Sequence, residues 1–145
     1  MINVCVEVEA GSCDKHLYDE KTLVYRGTRR VSQPYPYPYG FILGTVAADG
    51  DRVDCYLITR EKLRAGAIVG CKPIGLLEQV EDDEVDHKVL AARRGQHVEV
   101  DQELWQELRD FIHAVFAQFP DVSVRVGHIL SRQAAWHYIQ ACREP

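Results

Sequence analysis

The chain has 145 residues, of which 46% are hydrophobic and 27% are charged, the size and composition of one globular domain. The net charge of −5 at pH 7 argues against a nucleic-acid partner. No apolar run approaches the roughly 20 residues of a membrane span, and the start, MINVCVEVEAG, lacks the features of a secretory signal. We therefore expect one cytoplasmic domain over residues 1–145, with neither a nucleic acid nor a membrane as partner.

Alternating and apolar runs predict strands through the first hundred residues. In residues 2–10, Ile2, Val4, Val6 and Val8 alternate with other side chains, as in a strand with one buried face. Further strands are predicted over residues 22–26, 53–59, 67–80, 87–92 and 122–130. Turns are predicted at Gly11, Gly40, Gly44, Asp49–Gly50 and Gly66.

Two helices are predicted near the end of the chain. After Asp101, a residue type that caps helices well, apolar residues recur at helical spacing up to Phe119. A second, shorter helix is predicted from Ser131 to Cys142. Short strands followed by helices indicate a small antiparallel barrel flanked by the two helices.

The five cysteines are scattered and form no CxxC pair. An odd number at irregular spacing does not fit a disulfide framework or a zinc site. We expect reduced thiols that mostly lie in the core: Cys5, Cys13, Cys55, Cys71 and Cys142.

The stretch ADGDRVDCYLI, residues 48–58, places three aspartates within six residues, immediately before an apolar run. Two carboxylates about 5 Å apart repel by roughly 3 kcal/mol at an effective dielectric near 20. Gly50 allows a sharp turn that aims Asp49 and Asp51 at one point, and Asp54 begins a rigid element. Such charges must splay into water, take up protons or bind a cation.

A second acidic cluster, EDDEVDHK, ends at Lys88. Oxygen-only ligands from two loops suit Mg²⁺, Mn²⁺ or Ca²⁺, and the lack of a Cys/His cluster argues against zinc. The first acidic run is not an EF-hand, because the bidentate Glu at loop position 12 is missing. Two solvated acidic turns are the alternative, and a DxDxxD-like run taken alone favours that alternative.

The segment QPYPYPYGF, residues 33–41, alternates Pro and Tyr and is therefore extended. Inside a domain of this size, such tyrosines more often pack with their hydroxyls hydrogen-bonded. Tyr35 and Tyr39 can instead donate to an anion, and composition does not decide between the two roles.

Four motifs, in this order, resemble those of the soluble family I inorganic pyrophosphatases. VCVEVEAGSCDK is similar to V-x-I-E-I-P-A-G-S followed by Lys, and YPYPYGFILGT to Y-P-x-N-Y-G-F-I-P-x-T. DGDRVDCYLI is similar to D-G-D-P-x-D-x-L. KPIGLLEQVEDDEVDHK is similar to R-P-I-G-x-L, an acidic turn and D-x-K. The resemblance covers roughly residues 4–92 well and the helical end weakly.

The resemblance implies an α+β fold, mainly β: a closed, OB-like five-stranded β-barrel flanked by two C-terminal helices. It implies hydrolysis of inorganic pyrophosphate with Mg²⁺, or Mn²⁺, held at the mouth of the barrel. The metal ligands it implies are Glu7, Asp49, Asp51, Asp54, Glu81 and Asp86. The catalytic residues it implies are Asp51, Lys15 and Tyr39, with Asp51 as the base or orienter of the attacking water. The substrate-binding residues it implies are Lys15, Tyr35, Tyr39 and Lys88, near phosphate oxygens or supporting the groups that are.

The chain also departs from the family pattern. Leu17 replaces a carboxylate used around the metals, and Glu81 stands where the family usually has Asp. The family's D-R-V is not recovered, so that one of three residues would have to serve: Arg26, Arg29 or Arg30. Bacterial family members are commonly hexamers, so the resemblance also implies a homo-oligomer.

The largest departure is at the cationic clamp on the departing phosphate. The family's Y-K-D reads Phe119-Pro120-Asp121 here, which removes a hydroxyl and an ammonium group. A charged hydrogen bond to a ligand is worth roughly 1.5 to 3 kcal/mol, so slower hydrolysis is expected unless Arg125 or Arg132 substitutes.

Three functions stay open. The first is a pyrophosphatase of reduced or altered efficiency. The second is a metal-dependent phosphohydrolase for another phosphate compound, whose organic part takes the room of the lost clamp. The third is a catalytically impaired relative that binds metal and phosphate compounds or only oligomerises.

Overall fold

Residues 1–145 form nine strands and two helices in the computed structural model. The strands are β1 (Ile2–Val8), β2 (Asp14–Tyr18), β3 (Tyr25–Arg30), β4 (Tyr39–Ile42), β5 (Asp54–Leu57), β6 (Ile68–Glu81), β7 (Glu84–Val85), β8 (Lys88–Arg93) and β9 (Val124–Leu130). The helices are α1 (Gln102–Phe116) and α2 (Arg132–Ala141). Neither helix is both long and apolar enough to cross a membrane.

Five strands close into a barrel. β1 pairs with β4, β4 with β5, β5 with β8, β8 with β6, and β6 again with β1. The β5–β8 pair is parallel, so the prediction of a wholly antiparallel barrel is wrong at this one seam. β4 and β6 run in the same direction, since both are antiparallel to β1. β5 is antiparallel to β4 and β8 is antiparallel to β6, so β5 and β8 also run in the same direction. The closed, OB-like five-stranded barrel with two flanking helices is confirmed.

β6 is long enough to pair with three strands besides the short β7. It pairs with β1 through its first residues, with β8 through its middle and with β9 through its end. The register with β8 shifts between Pro73 and Gly75. Such a bulge bends the strand and tolerates a proline, which has no N–H to donate. The bend lets β6 close the barrel and then pair with β9 outside the ring.

Both helices begin at their predicted caps. The Asp101 carboxylate accepts from the backbone N–H of Leu104 at 2.9 Å, and the Ser131 hydroxyl from that of Ala134 at 3.2 Å. α1 ends at Phe116, three residues before the predicted end. The residue before a proline disfavours helical backbone, and Pro120 therefore keeps Phe119 out of the helix.

The core consists of two clusters of buried side chains. One joins inward-facing residues of the barrel strands to Ala135 and Ile139 of α2. The other joins the outer side of the barrel to α1 through Leu104, Leu108 and Ile112. All five cysteines are free, and three of them, Cys5, Cys55 and Cys71, are buried as expected.

Three features of the strand pattern escaped prediction. β2 is half-buried along its whole length, so its sequence shows no alternation. The strand predicted over residues 22–26 lies mostly in a turn, where Leu23 has a φ of 62°, and β3 begins later. β4 was also missed, because Gly40, predicted to mark a turn, lies inside it.

Gly40 lies on β4 against the backbone of the neighbouring strand β1. A Cβ at this position would sit 1.8 Å from the Cys5 carbonyl oxygen. We expect Gly40→Ala to lower the free energy of unfolding by about 3 kcal/mol or more, because backbone atoms of a closed barrel cannot move aside. Urea denaturation followed by circular dichroism measures this loss.

The matched control is Gly70→Ala, also on a strand that pairs with β1. Its Cβ would have nothing nearer than 3.9 Å, so stability should stay the same or rise by up to about 1 kcal/mol. Equal stabilities of the two variants would contradict the close approach of β1 and β4.

Candidate functional site

The site forms at the end of the barrel where β5 and β8 begin. Because these strands are parallel, their first residues, Asp54 and Lys88, lie at the same edge. The Lys88 ammonium donates to Asp54 at 2.6 Å and to Asp86 at 3.0 Å, and its side chain is only 7% exposed. Burial opposes the charge, but the two carboxylates outweigh it and raise the pKa of Lys88. Lys88 therefore stays an ammonium ion.

Glu81, at the end of β6, lies against Asp86. Burial and the Asp86 carboxyl raise the pKa of Glu81. Burial acts against ionisation of Asp86 as well, but the hydrogen bond with Glu81 and the charge of Lys88 lower its pKa. A proton between the two carboxyls therefore resides on Glu81.

The side chain of Gln79 orients Glu81 through a hydrogen bond. Its side-chain amide donates to the Glu81 carboxyl at 3.0 Å. Gln79 is 2% exposed, and the Oε1 atom of its side-chain amide has no hydrogen-bond partner. Buried amide oxygens are rarely left unpaired, and this one belongs to a residue that lines the cleft.

Asp49 and Asp51 lie on the turn before β5. Gly50 has a φ of 88°, as the predicted turn requires, and the Asp49 carboxylate accepts from the Asp51 N–H at 3.0 Å. Partial burial, followed by the charges of Asp49, Asp54 and Asp86, raises the pKa of Asp51. A cation at this point would relieve the repulsion.

Arg52, in the same motif, is buried and anchors this turn. Its guanidinium donates to the carbonyl oxygens of Thr45 at 2.8 Å and Glu20 at 3.0 Å, and it pairs with the Glu144 carboxylate. The Arg52 backbone N–H donates to the Glu20 carboxylate at 3.3 Å. Burial, with the charges of Asp51 and Asp54, raises the pKa of Glu20. Glu20, three residues after Leu17, therefore adds a carboxylate to the acidic cluster.

A cleft of about 640 Å³ opens between this cluster and α1. The Tyr35 and Tyr39 rings lie in it with their centroids 5.1 Å apart. The Lys15 and Lys88 ammonium groups are 5.7 and 5.9 Å from the centroid of the Tyr39 ring. Burial raises the pKa of Tyr35 to about 12 and that of Tyr39 well above its usual range, so both phenols remain hydrogen-bond donors.

The β2–β3 hairpin supplies cations to the cleft. Lys15 and Arg29 are directly opposed in the register of the hairpin, and both line the cleft. Like charges in this relation destabilise an antiparallel pair. Arg26 and Arg30 each form an ion pair with an aspartate, at 3.0 and 3.4 Å, whereas Arg29 forms none. Arg30 also lines the cleft, and of these two arginines Arg29, which has no carboxylate partner, is the stronger candidate to bind an anion.

The predicted site residues divide between the cleft and its acidic rim. The cleft is lined by Lys15, Tyr35, Tyr39, Asp54, Glu81, Asp86 and Lys88. Three others, Glu7, Asp49 and Asp51, lie outside the lining. The charges of Glu7 and Asp51 interact with lining residues, and that of Asp49 acts on Asp51. Burial raises the pKa of Glu7 to about 7, against the lowering effect of Lys15.

The acidic side chains are not drawn together into a cage. No group of three or more His, Cys, Asp or Glu side chains is placed to hold a metal ion in this conformation. The donors are nevertheless all oxygen atoms, and burial, followed by repulsion from neighbouring carboxylates, raises the pKa values of Asp51 and Glu20. Such a set fits a hard divalent cation, which would gather the carboxylates by replacing repulsion with coordination.

The far side of the cleft has no cation. Phe119 lines the cleft and is 54% exposed, and neither it nor Pro120 offers a charged donor. Arg125 pairs with Asp83 at 3.7 Å, and neither it nor Arg132 reaches the lining. In this conformation neither arginine occupies the place of the lost clamp.

Sequence reasoning missed the roles of Glu20, Arg52 and Gln79 and left Arg29 undecided. Pairing β2 with β3 in register would have selected Arg29, because it alone faces Lys15. Nothing local marks Gln79, since its importance comes from burial beside Glu81.

Comparison with known proteins agrees with this geometry. The profile of the family described as inorganic pyrophosphatase matches residues 4–145. The chain is 31% identical to the inorganic pyrophosphatase of Nostoc sp. over 139 residues, covering 92% of this chain and 82% of that one. It is 32% identical to the inorganic pyrophosphatase of Synechocystis sp. over 136 residues, covering 90% and 80%.

The fold leads to the same family. The crystal structure of the inorganic pyrophosphatase from Thermus thermophilus matches with a TM-score of 0.86 at 28% identity, covering 97% of this chain and 87% of that one. A profile match over nearly the whole chain, two relatives above 30% identity and a shared barrel show that the chain belongs to the soluble, family I inorganic pyrophosphatases and is therefore a hydrolase.

Proposed function

We propose that this protein hydrolyses inorganic pyrophosphate to two phosphates, with Mg²⁺ or Mn²⁺ as cofactor and with reduced efficiency. The observation that carries the proposal is the separation of charge in one cleft. Opposed cations, Lys15 and Arg29, lie on one wall, and carboxylates around Asp54 lie at the base. The two cations repel each other, and so do the carboxylates. A complex of divalent metal and pyrophosphate would relieve both repulsions, because its phosphates pair with the cations and its metal with the carboxylates.

The proposed metal ligands come from four parts of the chain. They are Glu7, Asp49, Asp51, Asp54, Glu81 and Asp86, with Glu20 taking the place of the carboxylate lost at Leu17. Bound Mg²⁺ would neutralise phosphate charge and make water a better nucleophile. Asp51 is assigned to orient that water and take its proton, because its raised pKa improves it as a base at neutral pH.

The hairpin and the tyrosines are assigned to the substrate. Lys15 and Arg29 would bind phosphate oxygens, and the phenols of Tyr35 and Tyr39 would donate to them. We assign Lys88 the supporting role, since its ammonium already holds two carboxylates.

The reduced efficiency follows from the wall opposite the cations. Charge develops on the leaving phosphate as the P–O bond breaks, and only interactions that strengthen with this charge raise the chemical rate. Phe119 and Pro120 supply none. We further propose that residues 1–145 form one domain that works in the cytoplasm as a homo-oligomer, a hexamer by family resemblance.

Asp51→Asn is expected to abolish Mg²⁺-dependent phosphate release from pyrophosphate and to weaken Mg²⁺ binding, because it removes a ligand and a proton acceptor. The metal-free protein should gain slightly in stability, since repulsion from Asp49 and Asp54 is relieved. Phosphate release and titration calorimetry with Mg²⁺ measure these effects. Asp83→Asn, at an exposed acidic position, is the control and should change neither. Unchanged Mg²⁺ affinity in both Asp51→Asn and Asp54→Asn would favour the solvated acidic turns.

Gln79→Leu is expected to raise the Mg²⁺ concentration needed for half-maximal activity at least threefold, because Glu81 loses the amide that orients it. Calorimetric Mg²⁺ affinity should fall in parallel, while turnover at saturating Mg²⁺ changes less. Adding Glu81→Asp to Gln79→Leu should restore part of the affinity, since the shorter carboxylate needs less support. Additive effects of the two changes would argue against the coupling.

Phe119→Tyr combined with Pro120→Lys should raise turnover at least tenfold, about 1.4 kcal/mol, by restoring charge compensation at the leaving phosphate. Pro120→Ala is the control for the backbone effect of removing proline and should leave turnover within about twofold. Suppose that the wild type shows no hydrolysis with Mg²⁺ or Mn²⁺, and that a double variant with a correctly placed lysine shows none either. The pyrophosphatase hypothesis is then wrong.

A further inference from the structure

The wall of the cleft that belongs to α1 and the residues after it is apolar. It consists of Phe111, Ile112, Val115, Phe116 and Phe119. The polar residue on this side is Gln118. Every charged residue of the lining belongs instead to the barrel end or the β2–β3 hairpin. A fully ionised pyrophosphate has no favourable contact with the apolar wall, since apolar atoms remove water from a phosphate without replacing its hydrogen bonds.

Phe119 gives this wall an unused aromatic surface. It is 54% exposed, and the Phe116 ring stands at 67° to it with centroids 6.3 Å apart. A planar heterocycle can stack on an exposed aromatic ring of this kind. The amide of Gln118, the adjacent residue, has both donors and an acceptor for the edge of such a heterocycle.

The cleft has room for more than pyrophosphate. At about 30 Å³ per heavy atom, as in liquid water, the nine heavy atoms of pyrophosphate fill roughly 270 Å³. The cleft measures about 640 Å³, within the range of pockets that hold organic ligands. The remaining space suffices for metal ions together with an organic group along the apolar wall.

We propose that the cleft also takes a nucleoside diphosphate, with its diphosphate between the cations and the carboxylates and its base on Phe119 beside Gln118. This inference rests on the proposed function, because the same groups would handle the diphosphate. Water attacks the terminal phosphorus, and the bond from that phosphorus to the bridging oxygen breaks. The bridging oxygen leaves with the electron pair as part of a nucleoside monophosphate. The proton of the water passes to Asp51 and then to solvent, and inorganic phosphate is the second product.

The apolar wall would thus bind the organic part of a nucleoside diphosphate at the place where the family's hydroxyl and ammonium groups are missing. Stacking of the base binds and positions the leaving monophosphate, but it does not compensate the charge that develops on it. An ester group also carries one ionisable oxygen fewer than a free phosphate, so less charge faces Phe119.

The test compares kcat/KM for ADP and for pyrophosphate, both with Mg²⁺. We expect phosphate release from ADP by the wild type, and a fall of at least fivefold in the ratio of kcat/KM for ADP to that for pyrophosphate in Phe119→Ala. Phe119→Trp keeps a stacking surface and should retain the ratio. Val24→Ala removes another exposed apolar side chain, one that does not line the cleft, and should leave the ratio unchanged.

Hydrolysis of pyrophosphate without hydrolysis of ADP overturns this inference and leaves the proposed function intact. If neither compound is hydrolysed, calorimetry with Mg²⁺ and the non-hydrolysable α,β-methylene ADP decides the matter, with methylenediphosphonate as reference. Tighter binding of the nucleotide analogue, weakened in Phe119→Ala, supports the base site and locates the failure in the proposed hydrolysis. Equal binding of the two analogues overturns the inference.

Discussion

The ion pairs of the Lys88 ammonium with Asp54 and Asp86 hold the site together. They form because β5 and β8 are parallel and begin at one edge of the barrel. Truncating one partner of a buried ion pair typically costs about 3–5 kcal/mol, since the other charge is left uncompensated. The ion pairs that fix the two aspartates also connect the first residues of β5 and β8. The position of the acidic cluster therefore depends on the pairing of these two strands, which closes the barrel.

The parts that the sequence predicted well are those decided by neighbours along the chain. Asp101 and Ser131 cap helices through local hydrogen bonds, and the turn at Gly50 depends on one residue's backbone. Other features depend on residues distant in sequence. The choice of Arg29 requires the β2–β3 register, and the environment of Gln79 requires β6 to be bent and covered. No pattern within a short window carries that information.

The cleft combines two walls of different origin. The charged wall comes from the segments whose motifs resemble the family closely, and the apolar wall comes from α1 and the residues after it, where the resemblance is weak. The charges of the first wall suit the proposed metal and anion, whereas the second wall carries no charge. The two walls of the cleft are therefore subject to different physical constraints, electrostatic on the first and packing on the second.

Arg52 joins the turn that carries Asp49 and Asp51 to Glu144, which lies 92 positions further along the chain. A bridge between Thr45 and Arg143 reinforces this connection. During synthesis on a ribosome, the turn emerges long before its anchor, and contacts of such long sequence separation form late in folding. The contacts of Arg52 with Thr45 and Glu20 can form first, and the contact with Glu144 completes the anchoring of the acidic turn. A nascent chain would carry Asp49 and Asp51 in a turn without its Glu144 contact until residue 144 had left the exit tunnel.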